Sequence, residues 1–287
     1  MSDVAAQEAL WNPRISVADP EAWFACGDAA SAATRARLGM PVELRYGDGP
    51  LMTVDVFAAA TAGATRATPG PVHVFLHGGF WRSRDKRDYS FVADHLVPAG
   101  ITVVVANYDL CPAVTVSTIV DQTSALLRWI RGGGLQPVTG CPHPGRLTAS
   151  GHSAGAQLIA MAACRDPALL QGPQPLAQAL LISGIYALTP LLAVSVNALL
   201  RLDAESALAC SPLHHPAPAG LIADVVVGGD EPDVWWEQTA AYGRHLGDGA
   251  RQIHRLPGLH HFSIIDTLRD RDSWLTQRLI TTAISDS

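Results

Sequence analysis

The chain has 287 residues, of which 48% are hydrophobic and 16% charged, so it can bury a large core and is not disordered along its length. Its net charge of -6, without a dense basic run, argues against a nucleic-acid partner. It has no run of roughly 18 uncharged apolar residues and its start does not resemble a signal peptide, so we expect a cytoplasmic protein without a membrane partner.

The first 40 residues predict a helical arm. Trp11, Trp23 and Phe24 lie among alanines and acids, and Asp19 followed by Pro20 is typical of a helix that begins nearby. After the arm, two runs alternate polar and apolar residues with period two on either side of a Gly-Asp-Gly-Pro turn. This pattern predicts an antiparallel hairpin at residues 42–46 and 52–57. The unpatterned residues 58–70 predict a surface loop.

The middle of the chain alternates apolar runs with segments of helical length. Strands are expected at 72–76, 101–106, 179–182, 221–227 and 252–256. Helices are expected at 117–131, 154–163, 233–246 and 273–284. This alternation predicts an α/β fold with a mostly parallel central sheet and helices on both faces. We therefore expect a main domain at residues 41–287 with the arm, residues 1–40, packed on it.

Residues 189–218 interrupt this alternation with helix-like and proline-rich sequence. They predict a small cap-like insertion over the carboxyl edge of the sheet, where α/β folds bind ligands. Its Leu191, Leu192 and Val196 are candidates, with the aromatic residues of the arm, to line an apolar pocket.

A Gly-x-Ser-x-Gly motif lies between a short strand predicted to begin at Arg146 and the helix predicted at 154–163. The sequence Gly151-His-Ser-Ala-Gly155 fits the sharp turn that presents a nucleophilic serine at the edge of a sheet. Glycines are needed on both sides because side chains there would clash with the neighbouring strand and helix. Ser153 is therefore the candidate nucleophile.

A second glycine motif follows the strand at 72–76. In His77-Gly-Gly-Phe-Trp81, Gly78 and Gly79 can turn backbone N–H groups toward a developing oxyanion. The N–H of Ala154, directly after the candidate nucleophile, would complete such a hole.

The base and acid of a serine triad are expected after the last strands. His260 and His261 occupy the loop after the strand at 252–256, and one of them is expected to face Ser153. Asp230, Glu231 and Asp233 follow the strand at 221–227, and one is expected to fix the histidine. Asp233, nearest the following helix, is the expected helix cap.

With these motifs in place, the chain resembles the kynurenine formamidase (arylformamidase) branch of the α/β-hydrolase superfamily, marked by H-G-G-x-W and G-H-S-A-G. The resemblance implies Ser153 as nucleophile and His261 as base, because His261 precedes Phe262 as in the family's N-H-F. It favours Glu231 as the acid, with Asp230 in reserve. His260 departs from the family's asparagine.

The resemblance implies a cofactor-free serine hydrolase that cleaves an amide of an N-acylated aromatic amine through an acyl-enzyme. Phe80, Trp81 and His260 are expected at the substrate pocket, and the partner is a small aromatic amide or ester. No metal site is expected, because H-E-x-x-H is lacking, the histidine doublets lack ligand spacing and the five cysteines form no C-x-x-C. The sequence leaves a homodimer open.

Two alternative functions remain. A carboxylesterase like hormone-sensitive lipase would share the same chemistry, but that branch has H-G-G-G and G-D-S-A-G, whereas Phe80 and His152 stand at the deciding positions here. A non-catalytic hydrolase fold that binds small molecules is less favoured, because no member of the triad is missing.

Overall fold

The computed structural model describes residues 3–59 and 69–285. Its strands are β1 (Val42–Arg45), β2 (Thr53–Phe57), β3 (Pro71–Leu76), β4 (Thr102–Ala106), β5 (Arg146–His152), β6 (Leu176–Ile182), β7 (Ala223–Gly228) and β8 (Ala250–Leu256). They form one sheet of order β1-β2-β4-β3-β5-β6-β7-β8. The pairs β1–β2 and β2–β4 are antiparallel and the others parallel, which confirms the predicted hairpin and mostly parallel sheet.

Helices flank this sheet. The α-helices of the described residues are α1 (Asp3–Trp11), α2 (Pro13–Ser16), α3 (Pro20–Leu38), α4 (Ala93–Leu96), α5 (Val116–Arg131), α6 (Gln136–Thr139), α7 (Ala154–Arg165), α8 (Asn197–Leu200), α9 (Ala204–Ala209), α10 (Asp233–Leu246), α11 (Ser263–Asp266) and α12 (Trp274–Ile284). Short 3-10 helices lie at Lys86–Val92, Pro167–Leu170, Thr189–Ala193, Pro212–His214, Gly247–Gly249 and Thr267–Arg269. The four long predicted helices correspond to α5, α7, α10 and α12, within one or two residues at each end.

The central strands are buried on both faces. Along β3, Val74 packs into a core with α5, α7 and α10, whereas Phe75 packs into a second core with α4 and α12. Successive side chains of a strand point to opposite faces, so one apolar run supplies both cores. Burying each such side chain contributes about 1.5–3 kcal/mol, which explains why these runs contain few polar residues.

The arm is helical, as predicted. The side chain of Asp19 accepts a hydrogen bond from the Ala22 N–H at the start of α3. Ser31 on α3 is buried and donates to the Asp88 carbonyl at 2.7 Å, which ties the arm to the main domain. Of the predicted loop at 58–70, residues 60–68 lie outside the described residues.

The predicted insertion lies between β6 and β7 and consists of short helices. The carboxylate of Glu8 in α1 accepts from the Ser195 N–H, and the Cys210 carbonyl accepts from Gln157 Nε2 of α7 at 2.8 Å. These contacts join the insertion to the arm and to the helix after the Gly-x-Ser-x-Gly motif. Among the described residues no helix is both long and apolar enough to cross a bilayer.

Candidate active site

Ser153 occupies a sharp turn between β5 and α7. Its φ of 54° and ψ of -117° are unfavourable for a residue with a side chain and cost about 1–3 kcal/mol. A Cβ on Gly151 would lie 2.3 Å from the Gly155 carbonyl carbon, and one on Gly155 would lie 2.1 Å from the Leu76 oxygen. Both glycines are therefore required by close approach of the backbone, as the motif predicted.

The loop after β3 passes directly against this serine. A Cβ on Gly78 would lie 3.1 Å from Ser153 Cβ, and Gly79 has a φ of 114°. Ala154 is the first residue of α7, where the N–H has no intrahelical acceptor. Gly78, Gly79 and Ala154 therefore lie on two chain segments that meet at Ser153.

Glu231 holds the ring of His261. The distance from His261 Nδ1 to Glu231 Oε2 is 2.7 Å, and both side chains are buried. Because a carboxylate only accepts, this bond assigns the proton to Nδ1 and leaves Nε2 of the neutral ring as an acceptor. Asp230 is exposed and bonds through its backbone N–H to Leu259. The structure therefore brings Glu231, and not Asp230, to His261.

Two further donors fix the other oxygen of the same carboxylate. Glu231 Oε1 accepts from the Gly228 N–H at 2.9 Å and from Ser183 Oγ at 2.5 Å. Ser183 is fully buried and follows the last residue of β6. Sequence reasoning did not identify it. Its position at the carboxyl end of a strand next to β5 is the signal that indicates it.

Three rings contact the imidazole of His261. The rings of His152 and Trp235 each lie 4.6 Å from it, centroid to centroid, and that of Phe262 lies at 5.6 Å. His152 Nε2 also donates to the His261 carbonyl at 2.9 Å, and burial holds the pKa of His152 well below its usual value. Trp235 Nε1 donates to the Leu10 carbonyl, so α1 of the arm supports this ring.

Asp233 is not the helix cap, contrary to the prediction. Pro232 precedes α10, and the Asp233 side chain caps no N–H there. Asp233 instead pairs with Arg255 at 2.9 Å on the surface. The proline fixes the entry to the helix, which makes Asp233 the first helical residue.

A cavity opens above Ser153, His152 and His261. Its aromatic lining comes from α3, from the segment after β3 and from the loop after β8, namely Trp23, Phe24, Phe80, Tyr89, Phe91 and Phe262. Trp11 lies outside this lining. It is buried, and its ring lies 5.9 Å from that of Trp235. None of the described lining residues belongs to segment 189–218, and Leu191 and Val196 are buried in the core.

Two of the three expected pocket residues also lie outside the lining. Trp81 is fully buried, and its Nε1 donates to Gln157 Oε1 at 2.9 Å, so it anchors the loop. His260 is half-buried with its ring 4.8 Å from that of Trp23. Phe80 does line the cavity. The described residues contain no group of three or more metal-ligating side chains suited to an ion.

The fold and the site together indicate the class of protein to which this chain belongs. A family model for the alpha/beta hydrolase fold matches residues 73–264, more than half of the chain. Kynurenine formamidase of Salmo salar is 32% identical, over 82% of this chain and 79% of that protein. The Danio rerio enzyme of the same name is 27% identical, over 94% and 91%. The chain belongs to the kynurenine formamidase branch of the α/β hydrolases, and it is a hydrolase.

Solved structures agree on the fold. A putative thioesterase from Silicibacter sp. TM1040 matches with a TM-score of 0.75 and 25% identity, covering 99% of this chain and 98% of the other. Carboxyl esterase 2 from Tuber melanosporum matches with a TM-score of 0.66 and 21% identity, covering 84% and 83%. The second likeness concerns the fold alone.

Proposed function

We propose that this chain is a serine hydrolase that cleaves the amide of an N-acylated aromatic amine through an acyl-enzyme, as an arylformamidase or N-acyl arylamine amidase does. The main support is the hydrogen bond between Glu231 and His261 beside the same cavity that Ser153 lines. The aromatic lining favours an aryl group in that cavity. The relatives named kynurenine formamidase favour an amide of formic acid.

The proposed reaction has two halves. Ser153 Oγ attacks the substrate carbonyl while its proton moves to His261 Nε2, and the N–H groups of Gly78, Gly79 and Ala154 stabilise the oxyanion. The C–N bond then breaks as His261 gives this proton to the departing amine. Water attacks the acyl-serine ester, His261 accepts its proton, and return of that proton to Ser153 Oγ releases the acid. Glu231 stabilises the imidazolium in both halves.

A carboxylesterase is the second candidate. It would use the same groups, because attack of a serine on an ester carbonyl needs the same base, acid and oxyanion donors as attack on an amide. Steady-state rates on N-formylkynurenine, N-acylanthranilates and p-nitrophenyl esters, measured side by side, distinguish the two. We expect a higher kcat/KM for an aryl amide than for a long-chain aliphatic ester.

Covalent labelling tests the serine mechanism. A fluorophosphonate should modify Ser153 and should not modify the Ser153→Ala variant. Ser83 is the other serine among the described lining residues, so Ser83→Ala provides a matched control that should still be labelled. Hydrolysis that continues in Ser153→Ala at the wild-type rate would refute the mechanism.

A further inference from the structure

Arg82, the residue after the buried Trp81, lines the cavity. The buried indole of Trp81 is held by Gln157, and the Trp81 carbonyl accepts from the Cys111 N–H at 2.8 Å. The N–H of Arg82 then donates to the Gly79 carbonyl at 3.1 Å, which closes a tight turn. Arg82 is half-buried and lines the same cavity as Ser153.

Most charged side chains that line the cavity are already paired. Arg14 pairs with Glu21 outside the cavity. Asp266, near the other end of the chain, pairs with Arg269 at 2.8 Å. Each of these pairs has no net charge.

Arg84 is paired twice. Its guanidinium lies 2.7 Å from Asp28 and 3.0 Å from Asp88, and Asp88 also lines the cavity. Arg82, by contrast, has no carboxylate partner among the described residues, and its buried Nε has no hydrogen-bond acceptor there. Arg82 is therefore the one arginine of the described lining without a carboxylate partner. Solvent reaches part of this guanidinium, and an anion that replaces the solvent there would form charge-assisted hydrogen bonds with it.

We propose that Arg82 binds a carboxylate of the substrate, and that the preferred substrate is an aryl amide with a net negative charge. This inference rests on the proposed function and specifies its substrate class. A guanidinium matches a carboxylate with two parallel hydrogen bonds, and the aromatic lining accommodates the ring beside it. Asp266 is paired with Arg269, and Asp88 shares Arg84 with Asp28, so a substrate that also has an ammonium group finds no carboxylate in the described lining without a cationic partner.

Kinetics with three probes test this proposal. N-formylanthranilate has one carboxylate on the ring, formanilide is neutral, and N-formylkynurenine is a zwitterion. In wild type we expect the highest kcat/KM for N-formylanthranilate. Arg82→Gln should lower that value about 10- to 100-fold, as expected for loss of a charge-assisted hydrogen bond, and should change the value for formanilide less than twofold.

Two further variants separate charge from geometry. Arg82→Lys keeps the charge without the planar fork and should recover part of the loss. Arg87→Gln removes the same charge from an exposed position outside the cavity lining and should behave as wild type with both probes. An equal loss on formanilide and N-formylanthranilate in Arg82→Gln would overturn the proposal, as would no loss on either. A wild-type preference for N-formylkynurenine would overturn the requirement for a net negative charge.

A binding measurement keeps this inference separate from the proposed function. Calorimetric titration with anthranilate needs no turnover, and anthranilamide is its neutral counterpart. Wild type should bind anthranilate at least tenfold more tightly than Arg82→Gln does, with no such difference for anthranilamide. If Ser153 is not labelled and no probe is hydrolysed, the proposed function fails while this titration still decides the role of Arg82. Equal anthranilate affinity in the two proteins would refute the carboxylate site.

Discussion

The floor and the wall of the cavity are built in different ways. The floor consists of Ser153, His261 and Glu231, with exposed fractions of only 3–4%. A hydrogen bond joins Glu231 to His261, and Ser153 lines the same cavity as His261. The wall consists of one face of α3 with the segment from Phe80 to Arg84, and its contacts are ring edges and partly exposed ion pairs.

This difference implies different roles for the two regions. A buried hydrogen bond to a charged group contributes about 1.5–3 kcal/mol, and its loss leaves an unpaired group in a medium of low dielectric. Ion pairs at the surface contribute about 0–1 kcal/mol. We therefore expect substitutions in the floor to change kcat and substitutions in the wall to change KM and substrate preference.

The largest expected effect concerns the acid of the floor. Glu231→Gln should lower kcat by about 10³ to 10⁴, because the amide cannot hold His261 in the productive tautomer. Asp230→Asn removes the adjacent carboxylate, which is exposed, and should retain nearly full activity. Steady-state kinetics on an aryl amide measure both. A lower kcat for Asp230→Asn than for Glu231→Gln would mean that Asp230, and not Glu231, holds His261 during turnover.

Ser183 should have the next largest effect. Ser183→Ala removes one of the two hydrogen bonds to Glu231 Oε1 and should lower kcat about tenfold with little change in KM. Ser211 is equally buried, and its hydroxyl bonds to Leu188 and Ala207 away from the site. Ser211→Ala should therefore lose stability without a loss of kcat. Equal kcat losses in the two variants would show that Ser183 acts only through stability.

Sequence reasoning could predict the floor because its motifs are local. The strand, sharp turn and helix around Ser153 follow each other directly, and the loops after β7 and β8 meet at one sheet edge because parallel strands end there. The resemblance to formamidases favoured Glu231 over Asp230. The sequence could not assign Ser183 to the site, because it bonds to Glu231 from the end of the neighbouring strand, 48 residues away in the chain.

The wall could not be predicted in the same way. Trp81 matches the family motif, but its neighbour Arg82 is the residue that lines the cavity. The ring of Trp23 meets that of His260, and the ring of Phe24 meets that of Phe262. Such contacts join opposite ends of the chain. Composition indicates that these aromatic residues will be buried but not which surface will bury them.

Substitutions in the wall should change KM. Phe24→Ala should raise KM for an aryl amide several-fold and leave kcat within twofold. Phe24 lines the cavity, and its ring packs against Phe262, so it supports binding of the substrate and holds no group of the floor. Trp274 is a half-buried aromatic residue stacked on His254 outside the cavity, so Trp274→Ala is the control and should leave KM unchanged. A large fall in kcat for Phe24→Ala would place the wall in the reaction itself.

Deletion of residues 1–25 is a less specific test of the wall. It also removes the Leu10 carbonyl that accepts from Trp235 Nε1, and Trp235 contacts His261. We therefore expect this truncation to raise KM and to lower kcat, whereas Phe24→Ala raises KM alone. Kinetics on both proteins, with thermal melts to confirm folding, compare the two effects. Unchanged kinetics in a folded truncation would make the arm structural only.

The smallest expected effect on activity comes from a histidine beneath the floor. His73 on β3 is fully buried between Thr148 and Ser150, and burial lowers its pKa from 6.5 to about 3. The unfolded chain therefore binds a proton below pH 6.5 that the folded chain excludes until about pH 3. The contribution of His73 to the free energy of unfolding is fully present above pH 6.5. It falls as the pH decreases, by about 2 kcal/mol at pH 5.

The pH dependence of unfolding separates His73 from His260, whose ring packs against Trp23 of the wall. The free energy of unfolding should fall between pH 8 and pH 5 by about 2 kcal/mol less in His73→Gln than in wild type. His260 is half-buried, and burial lowers its pKa as well. His260→Gln should reduce the pH dependence by a smaller amount, because solvent still reaches its ring. Denaturant unfolding at the two pH values measures this difference, since a lower starting stability of either variant cancels in it. Equal pH dependence in wild type and His73→Gln would show that His73 accepts a proton in the folded chain, so that the strands beneath the floor would be no more protected from protons than the half-buried His260.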